Sequence, residues 1–265
     1  MITTGSPDLL VVGGAMRSGT TLLRDVLASD PRVKFMALEL RALEYADLAT
    51  WAHVAAVAKH FTSTFSWVRH RQFRRQVSRY LSAIVRGHSL RDPTSVQRIH
   101  AALRFALEDA SARYVGDKYP HYVLHYPKFI HQANTRCVFA YRDARDVVAS
   151  LVERVTRGPW RNRRWAKQYD SIEKATAHWL AIMQALQDVQ RLETNALLVR
   201  YEDLVLRTNE TIATIARHLD LPASEFDVQL PDPSSIGRYR QRLGREQLDT
   251  IARLATPMME AWGYS

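Results

Sequence analysis

A glycine-bounded loop carries the first residues whose types and spacing could do chemistry. It reads Gly14-Ala15-Met16-Arg17-Ser18-Gly19-Thr20-Thr21, and it lies between an apolar run and a segment with helical spacing. Backbone N–H groups in such a turn, together with the following helix N-terminus, can hold a phosphate group. Arg17 adds a fixed cation, and three hydroxyl side chains follow it. The loop is a candidate anion site; the alternative is a turn that only allows close strand–helix packing.

This loop differs at one position from the nucleoside triphosphatase pattern G-x-x-x-x-G-K-[ST]. Thr20 stands where that pattern has its lysine, whereas Thr21 keeps the final hydroxyl. The missing lysine is the residue that reaches the β- and γ-phosphates. Because Arg17 instead places a cation three residues earlier, we expect a nucleotide with a different phosphate arrangement.

A second set of cationic and hydroxyl side chains follows another apolar run. Arg142 ends that run, Ser150 comes eight residues later, and Arg154 lies one helical turn beyond Ser150. Residues four apart share a helix face. Two guanidinium groups and a hydroxyl would form a phosphate clamp. The alternative is that Arg142 only pairs with Asp143 or Asp146 at a helix N-terminus.

Together the two segments resemble the sulfotransferases that use 3′-phosphoadenosine 5′-phosphosulfate (PAPS). The first resembles the family's 5′-phosphosulfate loop, and the arginine followed eight residues later by serine resembles its 3′-phosphate motif. The arginine in the loop is typical of tyrosylprotein sulfotransferases and related bacterial enzymes, since the small-molecule branch usually has lysine. The resemblance implies that the cofactor is PAPS and that the product of transfer is adenosine 3′,5′-bisphosphate. The cofactor site that it implies comprises Arg17, Ser18, Gly19, Thr20, Thr21, Leu22, Arg142, Ser150 and Arg154.

Glu39 is the leading candidate for the base. Sulfuryl transfer needs a base for the acceptor hydroxyl, in-line geometry and cations, and it needs no metal where arginine and lysine serve. Glu39 and Arg41 resemble the Gly-Glu-Glu-Thr-Arg segment of the tyrosylprotein enzymes, in which the catalytic glutamate precedes the arginine by two residues. Leu38 and Leu40 depart from that pattern, which bears on peptide recognition more than on the base. The alternatives are that Glu39 caps or pairs at a helix start, or that Glu44 is the base.

Lys118 is the leading candidate for the cation that stabilises the transition state, together with Arg17. The segment Gly116-Asp117-Lys118-Tyr119-Pro120 resembles the family segment whose lysine stabilises the bridging oxygen. The alternative is a surface lysine in a turn. His121 is an alternative base on the substrate side, because other branches use histidine. His121 and His125 lack a third ligand for zinc, so we expect no metal.

Two further segments resemble the nucleotide side of the family site. Tyr201 follows an apolar run, and the family's corresponding tyrosine packs at the adenine side. The loop around Ser235 and Arg238 resembles the one that closes over the nucleotide, with the arginine toward the 3′-phosphate. The alternatives are an ordinary aromatic residue at a strand end and a loop alignment that slips by one or two residues.

The elements that position these residues predict an α/β fold: a P-loop-like, three-layer architecture with a central parallel sheet of about four to five strands flanked by helices. Ligands bind such sheets at the carboxyl ends of the strands. The expected strands are Leu9–Gly13, Val33–Met36, Tyr114–Asp117, Thr135–Tyr141 and Ala196–Arg200. The expected helices are Thr20–Ser29, Ala144–Arg154, Ser171–Leu192 and Thr208–Leu219.

Residues from about 41 to 112 predict several helices and few strands. One of these helices is Arg69–Arg86, whose apolar stripe comprises Phe73, Val77, Leu81 and Ile84. Since the cofactor motifs lie outside this stretch, we expect it to be a helical, acceptor-side insertion. No linker divides the chain, so residues 1–265 are expected to form a single domain.

Composition limits the classes of function. The chain has 265 residues and a formal charge of +10, with 31 Arg and 6 Lys. Hydrophobic residues at 46% and charged residues at 24% exclude a disordered chain. A small-molecule P-loop kinase and a nucleic-acid-binding protein are alternatives. The first lacks the loop lysine, and the second is supported only by charge and the run Arg157–Trp165, without a recognition motif.

The remaining expectations concern location and acceptor. A single cysteine, Cys137, predicts a reducing compartment, and the sequence has no apolar run of about 20 residues. Residues Met1 to Asp8 have no charged region before an apolar run, so we expect no signal peptide. We therefore expect a cytoplasmic protein. Its partner is expected to be a hydroxyl-bearing acceptor, which the sequence leaves open among a peptide tyrosine, a glycan, a lipid and a phenolic metabolite; nucleic acid is disfavoured. Oligomeric state is also open.

Overall fold

The protein is described by a computed structural model that covers residues 8–65, 71–107, 109, 111–192 and 195–265. Its centre is a sheet of five parallel strands, formed by short apolar runs that are buried on both faces. The strands are β1 (Asp8–Gly14), β2 (Val33–Phe35), β3 (Tyr114–Lys118), β4 (Thr135–Tyr141) and β5 (Ala196–Arg200). Their order across the sheet is β2-β3-β1-β4-β5. The predicted α/β class and parallel sheet are confirmed.

Helices connect and cover these strands. They are α1 (Thr20–Ser29), α2 (Thr50–Phe65), α3 (Arg71–Val85), α4 (Val96–Leu107), α5 (Ala144–Thr156), α6 (Ile172–Arg191), α7 (Tyr201–Leu206), α8 (Thr208–Leu219), α9 (Tyr239–Arg242) and α10 (Arg245–Ala261). Short 3-10 segments occupy Pro120–Lys128, Arg164–Tyr169, Ala223–Glu225 and Pro233–Ser235. In the described part of the chain, each helix is too short or too polar to cross a membrane.

Two apolar cores lie on opposite faces of the sheet, because successive strand residues point to alternate sides. In β1, Leu9 and Val11 belong to the larger core, whereas Leu10 and Val12 belong to the smaller one. The larger core takes in residues of α3 to α6 and α10, and the smaller one takes in residues of α1 and α8. This arrangement gives the three predicted layers.

The predicted elements differ from the observed ones mainly at their ends. The helix predicted at 69–86 is observed as α3, and residues 69 and 70 lie outside the described residues. Its buried residues are Val77, Tyr80 and Ile84, whereas Phe73 and Leu81 are half-buried. Tyr80 was not counted in the apolar stripe, but its hydroxyl group forms a 2.9 Å hydrogen bond with His53 Nε2, which allows its full burial.

Candidate active site

The loop after β1 is held by close packing at both of its glycines. A Cβ atom on Gly14 would lie 2.1 Å from the carbonyl oxygen of Ala140 in β4. A Cβ atom on Gly19, whose φ is 87°, would lie 2.4 Å from the ring of Tyr201. Both positions therefore require glycine. Arg17 lies between them with a φ of 71° and supplies the charge of the loop.

The hydroxyl side chains of this loop have different surroundings. Ser18 is fully buried, and its hydroxyl donates to the carbonyl oxygens of Ala15 (2.7 Å) and Ala140 (3.2 Å). Thr20 is buried, whereas Thr21 is exposed at the first turn of α1, and Leu22 is half-buried beside them. Ser18 therefore fastens the loop to β4, and Thr21 is the hydroxyl that the loop presents outward.

Lys118 and Glu39 meet beside this hydroxyl. Lys118 is the last residue of β3 and is only 6% exposed, so the alternative of a surface lysine is wrong. Its ammonium group forms an ion pair with the Glu39 carboxylate and donates to Thr21 Oγ1 at 3.3 Å. Glu39 lies in an irregular segment after β2 rather than at a helix start, and its backbone carbonyl oxygen accepts a 3.0 Å hydrogen bond from His60 Nε2. The predicted base and the predicted cation are therefore in direct contact.

Arg17 connects the loop to α5. Its Nε donates to the Ser150 hydroxyl at 3.0 Å. Burial, and then the neighbouring guanidinium groups of Arg154, Arg142 and Arg242, together lower the pKa of Arg17 to about 10. The side chain remains charged at pH 7. An anion bound among these guanidinium groups would offset their mutual repulsion.

Two adjoining cavities are lined by these cations. They share Arg17, Ser150 and Arg242. The larger has a volume of about 260 Å³ and is also lined by Glu153, Arg154, Arg157, Gly158 and Pro159. The smaller has a volume of about 100 Å³ and is also lined by Arg142, Asp146, Ser235 and Arg238.

Arg142 is buried at the end of β4 and makes several contacts at once. Its guanidinium group pairs with Asp146 at 3.1 Å, donates to the backbone carbonyl oxygen of Ser235, and lies 4.1 Å from the ring centroid of Tyr201. Arg142 therefore pairs with Asp146, as the alternative interpretation expects. Asp143 instead pairs with Arg145. Its buried Nε nevertheless has no hydrogen-bond partner among the described residues. That nitrogen is a donor that an anion could satisfy.

Arg154 shows the same feature one helical turn after Ser150. Its guanidinium group lies 4.7 Å from the ring centroid of Trp160. Its Nε is buried and lacks a hydrogen-bond partner within the described ranges. Stacking on an indole fixes the plane of the guanidinium group and leaves its N–H edges available.

Asp146 fastens the C-terminal loop to α5, a role that sequence reasoning missed. Its carboxylate accepts hydrogen bonds from the backbone N–H groups of Gly237 (2.8 Å) and Tyr239 (3.0 Å). Arg238 is exposed on that loop and donates to the Ser234 carbonyl oxygen at 2.7 Å. Backbone contacts of this kind have no sequence signature beyond an acidic residue in the first turn of a helix.

Arg242 and Arg157 also line the cavities and were not predicted. Arg242 pairs with Glu153 of α5 at 2.9 Å. A signal for Arg242 existed, because it lies four residues after Arg238 and follows a loop that predicts a helix start. Nothing in the sequence distinguishes Arg157 from the other arginines of the run Arg157–Trp165.

The two remaining substrate-side residues gather around Tyr119. The guanidinium group of Arg41 lies 4.7 Å from the Tyr119 ring centroid and pairs with the Glu44 carboxylate. His121 Nδ1 shares a 3.0 Å hydrogen bond with the Tyr119 hydroxyl. Burial, and then the neighbouring His178, lower the pKa of His121 to about 3, so that its ring is neutral at pH 7. Of the three candidate bases, Glu39 contacts the lysine, His121 contacts Tyr119 and Glu44 pairs with Arg41.

Known proteins resemble this chain in sequence and in fold. The model of the sulfotransferase family matches residues 7–225. No curated protein sequence matches the chain. Among solved structures, the sulfotransferase domain of the Synechococcus PCC 7002 olefin synthase has a TM-score of 0.62 at 19% identity, covering 98% of this chain and 95% of that one.

Two other solved structures share the fold. The sulfotransferase domain from the curacin biosynthetic pathway has a TM-score of 0.61 at 16% identity, with 98% of both chains covered. The sulfotransferase STF9 from Mycobacterium avium has a TM-score of 0.52 at 13% identity, with 98% of this chain and 78% of that chain covered. The family match over most of the chain identifies this protein as a member of the sulfotransferase family.

Proposed function

We propose that the protein transfers the sulfuryl group of PAPS to an acceptor hydroxyl. The observation that carries the proposal is the Glu39–Lys118 ion pair beside Thr21, at the loop whose Arg17 leads into the arginine-lined cavities. The proximity of a candidate base after β2, a candidate leaving-group cation at the end of β3 and a candidate anion site after β1 supports this proposal.

The charge of the two cavities fits this donor. Six guanidinium groups and two carboxylates line them, which gives a formal balance of +4. A 3′-phosphate and a 5′-phosphosulfate together carry about four negative charges near pH 7. The unpartnered Nε atoms of Arg142 and Arg154 are donors for such charges. The residues that would hold the donor are Arg17, Ser18, Gly19, Thr20, Thr21, Leu22, Arg142, Ser150, Arg154, Tyr201, Ser235, Arg238 and Arg242.

Different residues of the chain accept the proton and stabilise the developing charge. When bound, PAPS supplies an activated sulfuryl group. Glu39 accepts the proton of the acceptor hydroxyl, which makes that oxygen a better nucleophile. Lys118 and Arg17 stabilise the negative charge that develops on the leaving phosphate. These cations supply the charge stabilisation without a metal ion.

The acceptor is proposed to approach from the side of α2, α3 and α4, the helical stretch that lies between β2 and β3 in sequence. His60 of α2 contacts the backbone of Glu39, so this stretch reaches the proposed base. A hydroxyl of a peptide tyrosine, a glycan, a lipid or a phenolic metabolite remains the proposed class. Kinase chemistry is less favoured, because the position of the triphosphatase lysine is held by the buried Thr20.

Transfer can be tested directly with sulfur-35-labelled PAPS and a panel of tyrosine peptides, oligosaccharides, hydroxylated lipids and phenols. We expect label to move to at least one acceptor in a metal-free buffer containing EDTA. Glu39→Gln should abolish that transfer while it still binds adenosine 3′,5′-bisphosphate. Transfer by Glu39→Gln at the wild-type rate would contradict the assigned base.

A further inference from the structure

We propose that Asp117 and Tyr122 are positioning residues that hold the Glu39 segment against Lys118. Only the expected change in kcat rests on the proposed function. The hydrogen bonds of Asp117 and Tyr122 are independent of it. Nothing in the resemblance to the family assigns a role to either side chain.

The Asp117 carboxylate is buried between β3 and the segment that carries Glu39. It is 1% exposed, and its Oδ1 accepts a hydrogen bond from the Leu40 backbone N–H at 3.2 Å. Its Oδ2 accepts a hydrogen bond from the Tyr122 hydroxyl. The same hydroxyl accepts a 3.4 Å hydrogen bond from the Leu43 backbone N–H. One carboxylate and one phenol therefore bind an irregular stretch of backbone that has no strand or helix of its own.

The position of Asp117 in the strand explains why this contact matters for Lys118. Adjacent strand residues point to opposite sides of the strand. Lys118 can therefore reach the Glu39 side chain while Asp117 holds the backbone of the next residue, Leu40. The segment after β2 is thus held to the end of β3 by two consecutive residues, one through an ion pair and one through backbone hydrogen bonds.

A lone ion pair would not fix Glu39 in this way. The Glu39 side chain is 29% exposed, and partly exposed ion pairs contribute little stability. Hydrogen bonds to the buried Asp117 side chain are stronger than the same bonds in water, because the local dielectric is low. Asp117 and Tyr122 therefore restrict where the Glu39 carboxylate can lie, and displacement by about 1 Å can cost on the order of 100-fold in rate.

The test compares Asp117→Ala, Asp117→Asn and Tyr122→Phe with a matched control, Asp30→Ala. Asp30 is also a buried carboxylate, but it bonds Arg32 at the start of β2, outside the site. Hydrogen exchange of residues 36–44 is measured by mass spectrometry, together with the affinity for adenosine 3′,5′-bisphosphate. Turnover of PAPS is measured with p-nitrophenol and with any acceptor found for the wild type.

Asp117→Ala should accelerate exchange in residues 36–44 and lower kcat about tenfold or more, with affinity for adenosine 3′,5′-bisphosphate within about twofold. Asp117→Asn keeps an oxygen that accepts from the Leu40 N–H. Its exchange rates in residues 36–44 and its kcat should therefore lie close to those of the wild type. Tyr122→Phe should also accelerate exchange in residues 36–44 and lower kcat. This variant tests the proposal if Asp117→Ala does not fold. Asp30→Ala should leave exchange in residues 36–44 unchanged.

Unchanged exchange in residues 36–44 in both Asp117→Ala and Tyr122→Phe would overturn the proposal. So would faster exchange with an unchanged kcat, or an Asp117→Asn variant as impaired as Asp117→Ala. Because exchange is measured without an acceptor, a wild type that transfers no sulfuryl group would contradict the proposed function and leave the exchange result to decide the positioning contact.

Discussion

Arg17 Nε donates a 3.0 Å hydrogen bond to Ser150 Oγ, although the two residues are 133 positions apart in the chain. Each residue belongs to a segment that predicts an anion site by itself. Their direct contact joins the loop after β1 to the helix after β4, and we therefore propose one anion site rather than two. The neighbouring strands β1 and β4 bring them together, since both strands end at the same edge of the sheet.

Arg142→Ala should weaken the affinity for adenosine 3′,5′-bisphosphate by about 10- to 100-fold, because a charge-assisted contact contributes about 1.5–3 kcal/mol. Affinity for adenosine 5′-monophosphate should change much less, since the assigned partner is the 3′-phosphate. Isothermal titration calorimetry measures both. Arg145→Ala is the matched control, because Arg145 pairs with Asp143 and lines neither cavity. Equal loss of affinity for both nucleotides would refute the 3′-phosphate assignment.

Glu39→Gln should lower kcat by about 100-fold or more, the usual contribution of a general base. Its amide cannot accept the acceptor proton, but it leaves the cavities unchanged, so nucleotide affinity should persist. Glu44→Gln is the control, because Glu44 pairs with Arg41 and not with Lys118. A greater loss of kcat in Glu44→Gln than in Glu39→Gln would move the base to Glu44.

Arg242→Ala should lower the affinity for adenosine 3′,5′-bisphosphate by about five- to tenfold, as expected for the loss of one partly exposed cation. Arg242 lines both cavities, whereas Arg240 of the same short helix stacks on Tyr239. Arg240→Ala should therefore stay within about twofold of the wild type. Fluorescence or calorimetric titration of both variants checks this difference, and equal affinities would remove Arg242 from the site.

The stability of the fold should depend on pH through Asp117. Burial raises the pKa of its carboxyl group from 3.8 to about 7. Because the folded pKa is raised, the group's contribution to stability is complete below pH 3.8 and is lost as pH rises to about 7. Asp117→Asn removes this titration. Its free energy of unfolding relative to the wild type should therefore increase between pH 4 and pH 8, by on the order of 4 kcal/mol.

Urea unfolding of the wild type and Asp117→Asn at several pH values measures this difference. Asp30→Asn provides a buried carboxylate outside the site for comparison. A difference between wild type and Asp117→Asn that stays constant from pH 4 to pH 8 would show that Asp117 does not titrate in this range.

The sequence predicted the parts of the site that are local in the chain. The loop around Arg17, and Arg142 with Ser150, could be proposed as anion sites because the residues of each lie close together in the chain, in a strand-to-helix segment. Lys118 was proposed from the resemblance of its segment to the family's lysine segment, and it lies at the end of β3. The bounds of the strands agree to within about one residue, because short apolar runs between turns leave little freedom.

Contacts between distant segments could not be predicted in this way. Asp117 and Asp146 both act by accepting backbone N–H groups from segments far away in the chain, and any residue type can supply such groups. Arg242 lines the cavities and follows a loop whose backbone is bound by Asp146 of α5. The order of the strands in the sheet likewise depends on tertiary packing rather than on any local pattern.

The measurement that tests the central claim most directly is thermal unfolding in the presence of adenosine 3′,5′-bisphosphate or of ATP with Mg²⁺. A ligand at about 100 times its Kd stabilises the folded state by about 2.7 kcal/mol, which corresponds to a rise in Tm of roughly 5–10 °C for a chain of this size. We predict that rise with adenosine 3′,5′-bisphosphate in EDTA, and its reduction to about half or less in Arg142→Ala. Stabilisation by ATP with Mg²⁺ alone would contradict the assignment of the site to PAPS.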